Sequence, residues 1–304
     1  MSGKSSQMLV RRWLDAAGIT DPVLRHCYTV CVRELAGADG GTARWHGLRS
    51  AHAAARPHTA ALLAHGCRAD LYVDSGPVEN RQRRFTEFVE ATWAAFAAGG
   101  SHDPVLHATV HTYRTFGMPL SVIEDMFSAM QRDLDFRDFA TFAELRRWCM
   151  QMTGGPMAMV HRVTGVAAGP ADELLVREFS VSAQLTDALR DLSEDLDDGR
   201  LYLPLEDLDR FNVHAEDIKA KRWTPAMADL IAFEAERVTE QLHKAAEADR
   251  GPAGALRQAN REYLALIIAA VLAAGQDVLH RPVQPPLGTL LNVWRPRMRA
   301  VIPC

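Results

Sequence analysis

Apolar residues recur three and four positions apart along most of this chain, and that spacing limits its fold more than any other feature. Phe85, Phe88, Val89, Thr92, Trp93 and Phe96 make one helical stripe, and Met227, Leu230, Ile231, Val238 and Leu242 make another. Neither stretch alternates as a strand would, and the sequence holds no Asn-Gly hairpin signal. Helix punctuation is equally regular. Thr20-Asp21-Pro22, Asp103-Pro104 and Thr224-Pro225 set a capping residue before a first-turn proline. Ser121 with Glu124, and Thr141 with Glu144, have capping-box spacing, and Gly99-Gly100, Gly117 and Gly251 stand where helices should stop. The expectation is an all-α fold of roughly ten helices. No Gly-, Ser- or Pro-rich linker divides the chain, so it reads as a single domain over residues 1–304, with 1–20 and 283–304 as peripheral extensions.

A chain of 304 residues can bury most of its unfolded surface and enclose an apolar cavity. Its net charge of -4 gives no reason to expect a nucleic-acid partner. The five cysteines, Cys27, Cys31, Cys67, Cys149 and Cys304, are odd in number and show no C-x-x-C spacing. They read as reduced thiols of a cytoplasmic protein. The polar start Met1-Ser-Gly-Lys-Ser-Ser6 lacks an apolar signal region. The longest apolar run, Leu264 to Ala274, reads as too short to span a bilayer, so no transmembrane anchor is expected.

Two acidic patterns stand out. Asp70 and Asp74 are four apart, and Asp187, Asp191 and Asp195 fall on one helical face over two turns. Like charges at that spacing repel, so helix stability does not call for them. A solvated acidic face explains either group; so does a site for Mg²⁺, which takes hard oxygens and bridges carboxylates to substrate phosphates. The second row runs into Gly199-Arg-Leu-Tyr-Leu-Pro204, where Arg200 can fork two phosphate oxygens and Tyr202 can donate to a third. His107 and His111 share a helix face, but no H-E-x-x-H pattern or third ligand accompanies them, and they read as a surface or core-edge pair rather than zinc ligands.

The stretch from Gln184 to Pro204 resembles the squalene/phytoene synthase family, whose members carry Q-L-T-N-x-x-R-D-x-x-E-D followed by G-R-x-Y-x-P. Arg56-Pro-His58 through Asp74 is similar to that family's earlier motif, R-P-H-x-x-A-L-Y-x-F-C-R-x-A-D-D-x-x-D. Phe116-Gly-Met-Pro119 and the segment from Thr141 to Trp148, Cys149 and Gly154 are weaker matches, and the resemblance covers roughly residues 42–282. It implies the all-α isoprenoid synthase fold around a central apolar cavity. It also implies that Asp70, Asp74, Asp191 and Asp195 bind Mg²⁺ and diphosphate, with Asp187 beside them, while Arg200, Tyr202, Arg190, Gln184 and Trp148 contact substrate.

Departures from the family pattern shape the expected reaction. Asp187 stands in place of the usual Asn, Leu71 in place of the second Asp of the first motif, and Cys67 in place of an Arg. The Ser-Phe segment that helps hold a second prenyl diphosphate aligns loosely with Thr42-Ala-Arg-Trp45. The expectation is a Mg-dependent prenyltransferase that ionises one allylic diphosphate, dimethylallyl diphosphate, and prenylates an aromatic, carbazole-type acceptor, as one branch of the family does in secondary metabolism. Asp187, Asp191 and Tyr202 are the expected catalytic residues, with Asp187 as proton acceptor or as one more metal-facing acid. The alternatives are a head-to-head synthase of squalene- or phytoene-like hydrocarbons, and a non-catalytic family member. Trp148, Met150 and Met152 line the acceptor pocket or belong to the core.

Overall fold

The computed structural model describes residues 3–37, 48–49, 51–165, 169–246 and 254–285. It is all-α, with no strand among the described residues. The loosely aligned Thr42 to Trp45, the stop signal Gly251 and the segment beyond 285 lie outside them. The chain forms two compact units, Met1–Leu134 with Ala158–Glu173, and Asp135–Met157 with Leu174–Cys304. The units are interleaved in sequence, which is why no linker composition marks them.

The first unit holds α1 (Gly3–Ala16), α2 (Pro22–Gly37), α3 (Arg56–Asp74), α4 (Val78–Ala98), α5 (Pro104–Phe116) and α6 (Ser121–Leu134), together with most of α8 (Gly155–Val163). Helix α3 is central, packing on α2, α4, α5 and α6. Its buried face includes the small residues Ala60, Ala61, Ala64 and Ala69, which let neighbouring backbones come close. Within the N-terminal segment expected to be peripheral, Val10, Trp13 and Leu14, spaced i, i+3 and i+4, are buried in a cluster with residues of α2 and α3.

Capping follows the sequence at most positions. Asp103 Oδ1 accepts from the backbone N–H of Val105 (2.8 Å) and Leu106 (3.1 Å), and Gly99 and Gly117 end α4 and α5 in the left-handed conformation at φ 78° and 58°. Ser121 differs from expectation: α6 begins on Ser121 itself, so it occupies the first turn rather than the cap. Asp103 has a second task, because its Oδ2 pairs with Arg68 Nη1 at 2.6 Å. Asp103→Ala is therefore expected to lower unfolding stability by about 1–2 kcal/mol, measurable by urea denaturation. A loss below a few tenths would show that neither the cap nor the ion pair contributes.

The second unit holds α7 (Phe142–Cys149), a π-helical turn (Met150–Gly154), most of α9 (Pro170–Arg190), α10 (Leu192–Asp197), α11 (Leu205–Arg210), α12 (Ala215–Lys219), α13 (Pro225–Ala246), α14 (Gly254–Ala274) and a 3₁₀ turn (Gly275–Leu279). Thr141 caps α7 through Glu144 N–H (3.2 Å), and the Glu144 carboxylate accepts from Ala140 N–H, one residue earlier than a capping box requires. The segment Asn260–Leu279 is long and apolar enough to cross a bilayer by length and composition alone, with mean hydropathy 1.6. That extends the shorter run read from sequence, because the mean hydropathy of the longer segment tolerates the few polar residues at its start. Ile267, Ile268, Val271, Val278 and Leu279 within it are buried.

Candidate functional site

In the first unit, Asp70 and Asp74 sit on the last turns of α3, Asp70 half-buried and Asp74 exposed. Helical geometry puts Cys67, Asp70 and Asp74 on one face, at i, i+3 and i+7, and turns Arg68 to the opposite side. There Arg68 forks both oxygens of Glu34, at 2.9 and 2.6 Å, and reaches Asp103. Cys67, where the family motif has arginine, brings no guanidinium to the acidic face, and the adjacent Arg68 ties α3 to α2 and the start of α5. Leu71 is 50% exposed, so the residue replacing the second acid of the motif packs against little.

In the second unit the acidic row is not one uninterrupted helical face. Helix α9 ends at Arg190, and Asp191 adopts φ -102° and ψ 13° before α10 begins. The physical cause is a diverted carbonyl. Arg190 O accepts from Val283 N–H at 3.0 Å, whereas Glu194 N–H turns to Asp191 O at 2.8 Å. The i→i−4 bonds Asp191 N–H to Asp187 O and Asp195 N–H to Asp191 O persist, so the three acids remain successive turns around a kink.

Arg190 holds two of these acids. Its Nη1 lies 2.7 Å from Asp187 Oδ1, its Nε donates to Asp191 Oδ1 at 2.8 Å, and its Nη2 donates to Asp191 Oδ2. Arg190, expected from sequence to contact substrate, directs its donors to Asp187 and Asp191 in this structure, and the bidentate fork fixes the Asp191 carboxylate. Packing around Asp187 pushes its carboxyl upward, Arg190 pulls it down, and the Asp191 charge adds to the push. Because the Asp187 side chain is 43% exposed, water screens part of that push. Gln184, half-buried, lies on the same face one turn before Asp187.

Beyond α10 the chain leaves the helix through a Schellman motif. Gly199 takes φ 77°, its N–H bonds Leu196 O (3.1 Å), and Arg200 N–H bonds Asp195 O (2.7 Å). The glycine of G-R-x-Y-x-P is thus the left-handed residue that sets Arg200 beside the last acid. Arg200 and Tyr202 are both buried. Tyr202 stacks on Trp148 with ring centroids 4.9 Å apart and meets Phe136 at 5.3 Å and Phe139 at 6.2 Å. Trp148 is 4% exposed, so its ring is part of this aromatic cluster rather than an open pocket wall. Met150 and Met152 belong to the π-helical turn, a local form often found at functional sites.

Among the described residues no three His, Cys, Asp or Glu side chains converge on a metal-binding point. Mg²⁺ keeps several waters and needs only one or two carboxylates when phosphate supplies the rest. Asp70 with Asp74, and Asp191 with Asp195, are such hard-oxygen pairs. His107 and His111 do not act together: His107 Nδ1 engages the backbone of Ser101, whereas His111 Nδ1 meets Tyr28 Oη at 2.7 Å. Tyr28 also meets His58 and Thr112 at 2.9 and 2.8 Å, a buried network that periodicity did not reveal. Burial pushes the His58 imidazole down to about 4. Cys27, Cys31, Cys67 and Cys149 form no disulfide. A surface cavity of about 660 Å³ between α4 and α6, lined by Phe85, Val89, Trp93 and Phe127 among others, contains none of the expected site residues.

Comparison with known proteins places these observations. The squalene/phytoene synthase family model matches residues 43–289. The 15-cis-phytoene synthase of Synechocystis sp. is 31% identical over 212 residues, covering 64% of this chain and 59% of that protein. The bifunctional protein CrtB/UppS of Streptomyces coelicolor is 28% identical over 206 residues, 67% of this chain and 36% of that protein. The match therefore spans between about a third and three-fifths of these relatives' length. The crystal structure of squalene synthase HpnC from Alicyclobacillus acidocaldarius superposes with a TM-score of 0.74 at 23% identity, covering 86% of this chain and 98% of that one. A dehydrosqualene synthase in complex with ligand gives 0.76 at 18% identity, covering 91% of this chain and 96% of that one. These likenesses establish the all-α squalene synthase-like fold.

Proposed function

Because this chain belongs to the squalene/phytoene synthase family, we propose that it is a prenyltransferase that ionises an allylic diphosphate. The observation that carries the reading is the Asp187–Asp191–Asp195 row leading through Gly199 into a buried Arg200 and Tyr202. Asp70 with Asp74, and Asp191 with Asp195, would each hold Mg²⁺, which when bound neutralises diphosphate and improves it as a leaving group. Arg200 forks diphosphate oxygens and Tyr202 donates to another. Arg190 holds Asp191 in the orientation its ligand role needs. Aromatic and aliphatic side chains exclude water from the allylic cation.

The finer reading is that the donor is dimethylallyl diphosphate and the acceptor an aromatic, carbazole-type ring. Three features support it over the joining of two like prenyl chains. The first motif has lost its second acid to an exposed Leu71. Cys67 stands where the motif has an arginine, and the adjacent Arg68 is bound by Glu34 and Asp103. Asp187 places a carboxylate where the family has an amide, and it would accept the proton that an alkylated ring must lose. The second reading, head-to-head coupling, is favoured by the relatives, which are named phytoene synthases.

The test is diphosphate release with Mg²⁺ from dimethylallyl, geranyl, farnesyl and geranylgeranyl diphosphates, each with and without aromatic acceptors. Release from dimethylallyl diphosphate that rises when a carbazole is added is the expected result. A C30 or C40 hydrocarbon from farnesyl or geranylgeranyl diphosphate alone would overturn the aromatic acceptor. No turnover of any donor would overturn the enzyme reading.

A further inference from the structure

Three ionisable side chains meet in the interior of the second unit, away from the acidic row in sequence. Arg237 on α13 lies 2.8 Å from Asp207 Oδ2 on α11 and 2.7 Å from Glu234 Oε2 one turn earlier on its own helix. Asp207 and Glu234 are each 4% exposed. One guanidinium thus faces two buried carboxylates. Asp207 Oδ2 meets Arg237 as an ion pair, and among the described residues neither it nor Glu234 Oε1 has a partner in hydrogen-bond geometry. A proton carried by Glu234 and directed to Asp207 would satisfy both oxygens and leave one negative charge for Arg237.

What this cluster holds matters. Asp207 lies on the first turns of α11, the helix that starts directly after Pro204. The same helix start is stapled to residues 139–142: Leu205 N–H donates to Phe139 O (2.8 Å), Glu206 N–H to Ala140 O (3.1 Å), and Phe142 N–H to Glu206 Oε1 (2.6 Å). Arg237 closes the assembly by stacking its guanidinium 4.0 Å over the Phe142 ring. Phe139, at the centre of the staple, packs on both Tyr202 and Trp148. The segment 199–204 is therefore gripped at one end by the Schellman motif and at the other by α11.

We propose that Asp207, Glu234 and Arg237 form a proton-bearing latch that anchors α11 and thereby positions Arg200 and Tyr202 for diphosphate. These are positioning residues, and the proposal rests on the diphosphate role of Arg200 and Tyr202. Burial pushes the Glu234 carboxyl up to about 8, Arg237 opposes that push and the Asp207 charge reinforces it. The charged groups facing Glu234 are Asp207 from α11 and Arg237 from its own helix. When Glu234 ionises, two carboxylates compete for one guanidinium and the grip on α11 loosens.

The experiment is calorimetric titration of inorganic pyrophosphate with Mg²⁺ into the full chain, wild type, Glu234→Gln, Asp207→Asn and Arg200→Ala, between about pH 7 and 9. Thermal unfolding of each variant checks that it is folded. Glutamine imitates the protonated carboxyl, so Glu234→Gln should bind as wild type near pH 7. The ratio of its affinity to that of wild type should grow toward about 10-fold as the pH rises, and comparing the two proteins cancels the titration of pyrophosphate itself. Asp207→Asn, with a single carboxylate left for Arg237, should bind more weakly than wild type near pH 7 and show no added alkaline loss. A ratio that stays constant with pH, or Asp207→Asn binding equal to wild type, would overturn the latch. Arg200→Ala separates the two ideas: if it binds pyrophosphate as wild type does, the diphosphate role of Arg200 falls. If it binds more weakly while Glu234→Gln tracks wild type at every pH, the latch alone falls.

Discussion

Asp191→Ala is expected to reduce diphosphate release by about 100-fold or more while leaving helix content and thermal unfolding close to wild type. Asp191 stands at the kink between α9 and α10, where its backbone N–H still bonds Asp187 O and its own carbonyl accepts from Glu194 and Asp195. None of these bonds needs the carboxylate, so alanine leaves the kink intact. What is lost is an oxygen ligand and the partner that Arg190 forks with two donors. Arg190 would then be left with Asp187 alone, at 2.7 Å. Steady-state release of diphosphate and circular dichroism measure the two halves of the expectation. Activity within about threefold of wild type would break the assignment of Asp191 as a metal-binding acid.

Arg237→Met should have the largest effect on stability, a loss of about 3–5 kcal/mol by urea denaturation, because it strands a buried carboxylate without a counter-charge. Both acids are buried, and methionine can replace the contact with Phe142 and Phe233 but not the charge. A loss below about 1 kcal/mol would mean that both acids are already neutral or reach water. The same cluster sets a pH dependence. The fold raises the Glu234 pKa from 4.5 to about 8, so over that range the folded state keeps a proton that the unfolded state has released. The stabilisation from the protonated carboxyl is fully present below about 4.5 and is lost as pH rises through about 8. Buried imidazoles act in the opposite direction. Burial pushes His65 down to about 4 from 6.5, so its contribution is present above 6.5 and lost as pH falls toward 4.

Much of this protein was legible in local pattern. The stripes Phe85 to Phe96 and Met227 to Leu242 became α4 and α13, and Asp103, Thr141 and Gly117 cap where their residue types direct. These are interactions within one or two turns, so the residues that decide them are neighbours in the chain. The acidic row and the Gly199–Pro204 tail were legible for the same reason. The glycine, the acid one turn earlier and the arginine after it form a single local motif.

Only tertiary structure decided the rest. Val283, far along the chain, takes the Arg190 carbonyl and bends the row that periodicity drew as straight. Arg68 carried no signal in the sequence, and Glu34 and Asp103, from α2 and the start of α5, give it its task. Trp13 looked like part of a tail and proved to be core, because its stripe meets faces supplied by α2 and α3. Asp207, Glu234 and Arg237 carry no recognisable spacing, since two of them share a helix and the third comes from another. Helix periodicity and capping depend on bonds that close within a turn. The protonation of a buried acid, the bend of a helix and the partner of a guanidinium depend on which distant segments exclude water around it, and that is settled by packing.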